Sequence, residues 1–587
     1  MDEVIKGSPI LYSLGDENVL NHYAGYGPSD LPAFRSFLKK KYGTIANLNV
    51  NWNTAYPDFN AVPHRDLAVS LKAKSYPEWN DHIEYMEQQF ADIHHVTADL
   101  IKSRDPHAKV GLEGTFGNHN IELMMEKLDW WGPYTNMLED QVLRSLYPDV
   151  PRFVWSGYHG ERAMKSPLMS RQILLGSVNG NGWYATATDF NHDILSVDQS
   201  PSFCKSFMDE LQRLRLGLGR TLVANPMFDS KIGIYWSHIS RRSPKVDPRC
   251  IAPDTGIAPI IQFCNQTGAG FEFVTARNGK QRLPKIKVLF ISGIHAMSNQ
   301  EAEMILDYVK KGGTVIADFA PARLNENLAV RKKNPLAPLF GNQTLLEKNE
   351  YMVKPISIPD LKASNALLDP KRKLMEVRTY GKGKAILTNF NFGIVATSAD
   401  KSTPFNGFLR KLLTKYGAVI PFRQSNPDSI FRVRTGKDFT LLGVYENKDN
   451  SRTTIQLPRE KYVYETGVGY LGKQKTITAN FSCAVPLKVY AVFDKKQNAP
   501  AVKAPAAVKA GDDIVFQYNN LPQGRTIVIR AYAPDGKELT GRTVVTSTDN
   551  AREYRFGIPY NAPKGKYKFT IMDHITGLSA VKTVTVQ

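Results

Sequence analysis

Cysteine is scarce. There are four in 587 residues, Cys204, Cys250, Cys264 and Cys483, with no CxxC pair and no histidine cluster at metal-ligand spacing. Neither a disulfide framework nor a zinc site is therefore indicated, and thiols without a pattern read as small buried hydrophobes. No apolar run approaches the roughly 18 residues needed to cross a bilayer, so no membrane partner is expected. The opening MDEVIKGSPI has no basic segment followed by an apolar one, so it is not a secretory signal peptide. No GxGxxG or P-loop pattern opens the α/β stretch that begins at Lys231, which counts against a nucleotide or flavin protein, and no cofactor is expected. Acidic residues are the minority, 56 against 75 Lys plus Arg, for a formal charge of +19. The basic surplus is spread along the chain rather than gathered in one stripe. It reads as a generic basic surface with no nucleic-acid partner, steering of an acidic substrate being the sharper alternative.

What is present is the composition of a soluble globular protein, 42% hydrophobic and 22% charged. The length implies about three to five domains. From Ile10 to about Val223, short apolar runs alternate with helical segments, as parallel strands with crossover helices do. The strands are ILYSL, AKVGLEG, LDWWGPY, RFVWSGY and GNGWYATA, giving five βα units. A second α/β stretch begins at SKIGIYWSH. It contains SNQEAEMILDYVKKGG, where Ser298 and Glu301 form a capping box and Gly312-Gly313 ends the helix before TVIAD. After about Pro421 the pattern becomes short alternating strands. A Pro/Ala/Lys linker, KKQNAPAVKAPAAVKAG, then precedes a last strand-rich, immunoglobulin-type run to Gln587.

SLGDEN followed by AFRSFLKKKYGTIANLNVNWNTAY resembles the fourth strand and following insertion of glycoside hydrolase family 42, the β-galactosidase family of the (β/α)8 clan. The later segments fit that family in order. The resemblance implies an α/β fold in four parts: a partial TIM barrel over residues 1–225 carrying strands four to eight, a flavodoxin-like trimerisation domain over 226–420, a small β-sandwich over 421–496 and an immunoglobulin-like β-sandwich over 497–587. It enters at strand four, so strands one to three are expected to be missing, and a lost amino terminus would also hide a signal peptide. An extracytoplasmic location and a homotrimer are the corresponding expectations.

The resemblance also assigns roles. Glu17, ending the first strand, falls where the family carries its general acid/base; the competing reading makes it a helix N-terminal acid opposing the dipole. Asp16 stands where the family has a sugar-binding Asn. A retaining hydrolase needs a second carboxylate about 5 to 5.5 Å away, and at the strand where the family supplies it, Trp155 or Ser156 occupies the place of the Glu. Glu161, in the following loop, and Glu113, ending the second strand, are the candidates, with no nucleophile at all as the third possibility. Trp130, Trp131, Tyr134, Trp155, Tyr158 and Trp183 crowd the same edge, where they would either stack on sugar rings or fill the barrel wall. His159, Asn181 and Asp189 are placed to bind hydroxyls.

The expected function is a retaining glycoside hydrolase acting on β-galactosides or a related polysaccharide or oligosaccharide, without metal. The alternative is a catalytically impaired carbohydrate-binding or assembly protein derived from one.

Overall fold

The computed structural model describes residues 11–21, 23–113, 119–132, 137–156, 168–183, 209–341, 352–399, 405–549 and 552–587, without the side chains of 137, 154–156, 168 and 181–183. Two compact units result, Met1–Phe153 with Ser230–Phe263 and Phe271–Val419, and Val154–Asp229 with Cys264–Gly270 and Ile420–Gln587.

In the first unit, β1 (Tyr12–Ser13), β2 (Val110–Glu113) and β3 (Trp130–Gly132) run parallel, with Tyr12 opposite Val110 and Gly111 opposite Trp130. Trp131 bridges Arg152. In the second unit, apart from Phe153, β4 (Phe153–Ser156) pairs with β5 (Gly180–Trp183). Among the described residues these are the five strands expected of the (β/α)8-type segment. Gly111 has a specific reason to lack a side chain: a Cβ there would lie 2.2 Å from the Trp130 carbonyl oxygen and 2.6 Å from its indole.

The insertion between β1 and β2 contains the helices Asp30–Tyr42, Ile45–Trp52 and Pro77–Arg104. Thr44 caps the second of these by accepting the Asn47 amide. Phe34, Leu38, Leu48, Trp52, Val62 and Tyr85 form a small core of their own. The motif residues converge on one buried carboxylate: Asp81 accepts from Lys41 Nζ at 2.7 Å, the Tyr42 hydroxyl at 2.6 Å and Trp52 Nε1 at 3.0 Å. Burial pushes the Asp81 carboxyl up and the Lys41 ammonium pulls against it. The long helix serves two layers, with Ala91, Ala98 and Ile101 against Val110, Leu112 and Trp131 and its first turns against Phe319, Leu324 and Leu328.

The α/β sheet of the same unit consists of β6 (Ile232–Tyr235), β7 (Phe271–Val274), β8 (Val288–Ile291), β9 (Thr314–Asp318), β12 (Met375–Tyr380) and β13 (Gly383–Thr388), with β10 (Met352–Ile358) and β11 (Leu361–Leu368) as a separate hairpin. The order β7-β6-β8-β9-β13, all parallel, with antiparallel β12 at the edge, is the flavodoxin-like winding. The capping box forms: Ser298 Oγ accepts the Glu301 amide, and Glu301 accepts the Ser298 amide at 2.7 Å. Ligands of such sheets sit beyond the carboxyl ends of the strands. Here that place is taken by the chain itself. Asp318 accepts from the Ser292 hydroxyl, the Gly293 amide and the Asn391 amide, all buried. A Cβ on Gly256 would meet Ser292 Oγ at 1.8 Å.

In the second unit, β14 (Arg423–Gln424), β15 (Ile430–Thr435), β16 (Thr440–Tyr445), β17 (Ser451–Glu465), β18 (Gly469–Phe481) and β19 (Leu487–Phe493) form one antiparallel sheet. Strand β17 changes partner along its length, pairing with β14 near Ile455 and with β19 near Val463. The terminal module sets the sheet of β20 (Val502–Lys503), β22 (Asp513–Tyr518) and β25 (Glu553–Gly557) beside that of β21 (Ala507–Val508), β23 (Thr526–Tyr532), β24 (Val544–Ser547), β26 (Gly565–Asp573) and β27 (Leu578–Val586). The core between them includes Phe516, Ile529, Phe556, Phe569 and Val584. The expected linker is thus only partly a linker: its alternation of small residues supplies β20 and β21, whose short, proline-flanked edges suit a sheet margin.

Candidate active site at the carboxyl ends of the barrel strands

The apolar run of β1 ends because the chain turns at Gly15, with φ 131°, and leaves the strand direction. Asp16 and Glu17 follow, both exposed, and Glu17 has φ 54°. A left-handed glutamate is uncommon, and such backbone is found where surrounding structure imposes it, often at functional sites. The nearest following helix begins at Asp30, so Glu17 does not neutralise a helix N-terminus.

The neighbouring strand holds this turn. Glu113 donates its backbone N–H to the Gly15 carbonyl oxygen at 3.0 Å, so the ends of β1 and β2 stay joined after strand pairing stops. The Glu113 side chain is half-buried. Partial burial raises its pKa, the Ser13 hydroxyl opposes that, and the negative charge of Asp16 adds to it. The Glu113 carboxyl thus feels the charge of Asp16 across the two strand ends. Asn18 is the next element. Its Nδ2 is buried with no hydrogen-bond partner among the described residues, and its Oδ1 would lie 3.0 Å from a Cβ on Gly15. The adjacency of Asn18 to the acids in GDEN was its only signal.

Trp130 and Trp131 are not surface platforms. Both are buried; Trp130 donates Nε1 to the Tyr12 carbonyl oxygen at 3.2 Å, and Trp131 packs 5.3 Å from the His119 ring. They fill the barrel wall, the alternative already attached to these tryptophans. Trp155 lies on β4 and Trp183 on β5, with Asn181 beside it. Tyr134, Tyr158, His159, Glu161 and Asp189 lie outside the described residues. Among the described residues, no group of three His, Cys, Asp or Glu is arranged to hold a metal ion, and no helix is long and apolar enough to cross a membrane.

The beta-galactosidase model of glycoside hydrolase family 42 matches residues 7–137. The beta-galactosidase LacZ of Heyndrickxia coagulans is 20% identical over 332 residues, 50% of this chain and 49% of that protein, so the chain spans about half the length of this curated relative. Among solved structures, the beta-galactosidase of Bacillus circulans sp. alkalophilus aligns with a TM-score of 0.60 at 13% identity, covering 80% of this chain and 77% of that one. The beta-galactosidase of Rahnella sp. R3 gives 0.59 at 14% identity over 80% and 77%. An exo-carrageenase of the same family from Bacteroides ovatus gives 0.52 at 14% identity over 79% and 62%. At these identities the likeness to the solved structures is one of fold.

Proposed function

We propose, for a chain whose residues 7–137 match glycoside hydrolase family 42, that it is a retaining glycosidase of β-galactosides or a related galactose-containing polysaccharide or oligosaccharide. The observation that carries the reading is the pair of strand ends. Glu17, with a left-handed backbone, follows the turn at the carboxyl end of β1, and the Gly15 carbonyl oxygen of that turn accepts the N–H of Glu113 at the end of β2. Barrel enzymes of this architecture work at that face.

In the proposed mechanism Glu17, as a carboxylic acid, gives its proton to the glycosidic oxygen while a second carboxylate attacks the anomeric carbon. As a carboxylate, Glu17 then takes a proton from the water that releases the sugar. Glu161 and Glu113 remain the candidates for the attacking group. Glu113 has the geometry of a strand-end acid, a position from which a carboxylate can attack or hydrogen-bond the sugar hydroxyls; Glu161 is the first choice for the attacking group. Asp16, Trp155, Tyr158, His159, Trp183 and Asp189 are the proposed contacts to the saccharide. The four-part domain plan with limits at 225, 420 and 496 belongs to the same proposal, as does assembly into a homotrimer through the flavodoxin-like domain. The carrageenan-cleaving relative supports extending the substrate class to sulfated galactans.

The test is hydrolysis of an aryl β-galactoside by wild type, Glu17→Gln and Glu17→Ala. Loss of turnover with Glu17→Gln, and partial recovery of Glu17→Ala by azide, support the assignment. Undiminished turnover in either variant removes Glu17 from the mechanism.

A further inference from the structure

A second cleft, of about 530 Å³, opens in the unit that carries the β-sandwich strands. One wall is a kinked helical segment, Leu214–Leu218, in which Leu216 and Gly217 leave helical geometry and Gly217 has φ 125°. The glycine at the kink has a steric reason: a Cβ on Gly217 would sit 2.4 Å from the His574 ring. Gly467, with φ 72°, lies on another side of the same imidazole, and its Cβ would come within 3.0 Å of His574 Nε2. Two glycines in backbone conformations that side chains disfavour therefore flank one buried histidine at the cleft.

The ring is also oriented. Nδ1 of His574 pairs with the Thr221 hydroxyl at 3.1 Å, and when that hydroxyl donates, the ring proton resides on Nε2. Burial, with the Arg213 charge adding to it, holds His574 down to about 4, so the ring is a neutral donor near pH 7.

Three cations and two acids line the cleft, Arg213, Lys488 and Arg530 against Asp209 and Glu465. Lys488 is spent on Glu465 at 2.9 Å. Arg213 donates Nη2 to the Leu487 carbonyl oxygen and feels the charges of Glu210 and Glu465 without an ion-pair contact to a described carboxylate. Arg530 meets Glu538 at 4.0 Å, the outer limit of an ion pair. Asp209 stands at the exposed rim. Leu216, Val489 and Met572 contribute apolar lining. Two guanidinium groups and an imidazole N–H beside an apolar wall match an oxyanion attached to a carbon ring.

We propose that this cleft is a secondary binding site for an acidic saccharide, with its sulfate ester or carboxylate taken by Arg213, Arg530 and His574 Nε2 and its ring set against Leu216, Val489 and Met572. The choice of a saccharide rests on reading the chain as a glycosidase; the anionic character rests on the cleft alone. Calorimetry on the full chain decides it, using a sulfated galactose tetrasaccharide, a galacturonate tetrasaccharide, neutral galactotetraose and inorganic sulfate. At least one acidic tetrasaccharide binds ten times more tightly than galactotetraose, and which of the two does so identifies the anionic group. Arg530→Gln, at a partly exposed position, weakens that binding at least fivefold and leaves aryl β-galactoside turnover unchanged; Arg530→Lys restores part of it. Glu17→Gln binds like wild type, which separates this site from the catalytic reading. Equal affinity for acidic and neutral sugars, indifference to Arg530→Gln, absence of any saccharide binding, or inorganic sulfate binding as tightly as the oligosaccharide would each overturn the proposal.

Discussion

The amide of Glu113 is bonded to the carbonyl oxygen of Gly15 at 3.0 Å, one peptide before the Asp16–Glu17 pair. At Glu113, β2 still pairs with Gly132 of β3 and at the same time holds the turn that bears the neighbouring acids, although β1 has already left the sheet. The position of Glu17 is set from β2 as much as from β1. Groups held by main-chain hydrogen bonds between strands have little freedom to drift from a productive geometry.

Glu17→Gln keeps the shape of the side chain and removes its proton. If Glu17 is the acid/base, kcat/KM on a β-galactoside with a poor leaving group falls by about 10² to 10⁴. The loss is smaller with an activated aryl leaving group, which needs less protonation. Circular dichroism should be unchanged, because the side chain is exposed.

Glu113→Gln separates the two roles open to that residue. A sugar-binding Glu113 gives a higher KM with modest loss of kcat, whereas a nucleophile gives a kcat loss as large as that of Glu17→Gln. Azide rescue of Glu113→Ala, with formation of a glycosyl azide of the configuration opposite to the substrate, would identify it as the nucleophile.

Gly111→Ala places a methyl group against the Trp130 backbone and indole. Overpacking of this kind costs about 1 to 3 kcal/mol. Thermal unfolding should begin earlier by several degrees, and near-ultraviolet circular dichroism should report a moved tryptophan. A melting profile identical to wild type would contradict the packing described here.

Asp81→Ala takes from Tyr42 and Trp52 their carboxylate acceptor and leaves Lys41 with Glu84 at 2.6 Å as its remaining partner. Breaking a buried pair so that one charge is left alone costs about 3 to 5 kcal/mol. Because Glu84 still neutralises Lys41, the loss in denaturant unfolding should fall short of that range, and the double variant Asp81→Ala/Glu84→Gln, which removes both carboxylates, should reach it.

His82 gives the first unit an acid-side sensitivity. Burial lowers its pKa to about 4, with its Nε2 against the Ala24 carbonyl oxygen. The unfolded chain binds this proton near 6.5 and the native state does not, so stability is intact above about pH 6.5 and declines as pH falls from there toward 4. The decline attributable to this group is on the order of 2 kcal/mol. In His82→Gln, the fall in melting temperature between pH 7 and pH 4.5 should be shallower than in wild type.

The parts of the fold that were legible in the sequence are those written in local pattern. The five strands from Tyr12 to Trp183 follow the alternation of apolar runs and helical periods, and the Ser298–Glu301 box stands where its spacing puts it. What was not legible depends on partners distant in the chain. Trp130 is a packing residue because Gly111 lets it cross β2 and Tyr12 accepts its indole N–H. Neither relation has a local signature. The motif residues Lys41, Tyr42 and Trp52 belong to the insertion that carries the family resemblance; they are held together by Asp81, an acid on a helix forty residues away from Lys41. The unusual backbone of Glu17 was equally hidden, since a glutamate carries no propensity for a positive φ.

The terminal module is joined to its neighbour in a way that governs how the gene can be cut. Arg525, in the module, is buried with Asp573 at 3.0 Å and reaches Asp438 in the preceding sheet at 2.7 Å and Gln497 at 3.0 Å. The segment before it contributes β20 and β21, and Tyr464 accepts the Gln497 amide. A stop codon placed after Phe493 would therefore do more than shed a tail. It would uncover the faces of Phe439 and Phe493 that the Arg525 guanidinium covers and leave Asp438 without its cation. A graft of residues 511–587 onto another protein would in turn begin life lacking two of its own strands. Evolutionary shuffling of this module would need a breakpoint near Lys495 together with a host that supplies an acid in place of Asp438, which makes it a far less portable cassette than its position at the carboxyl end suggests.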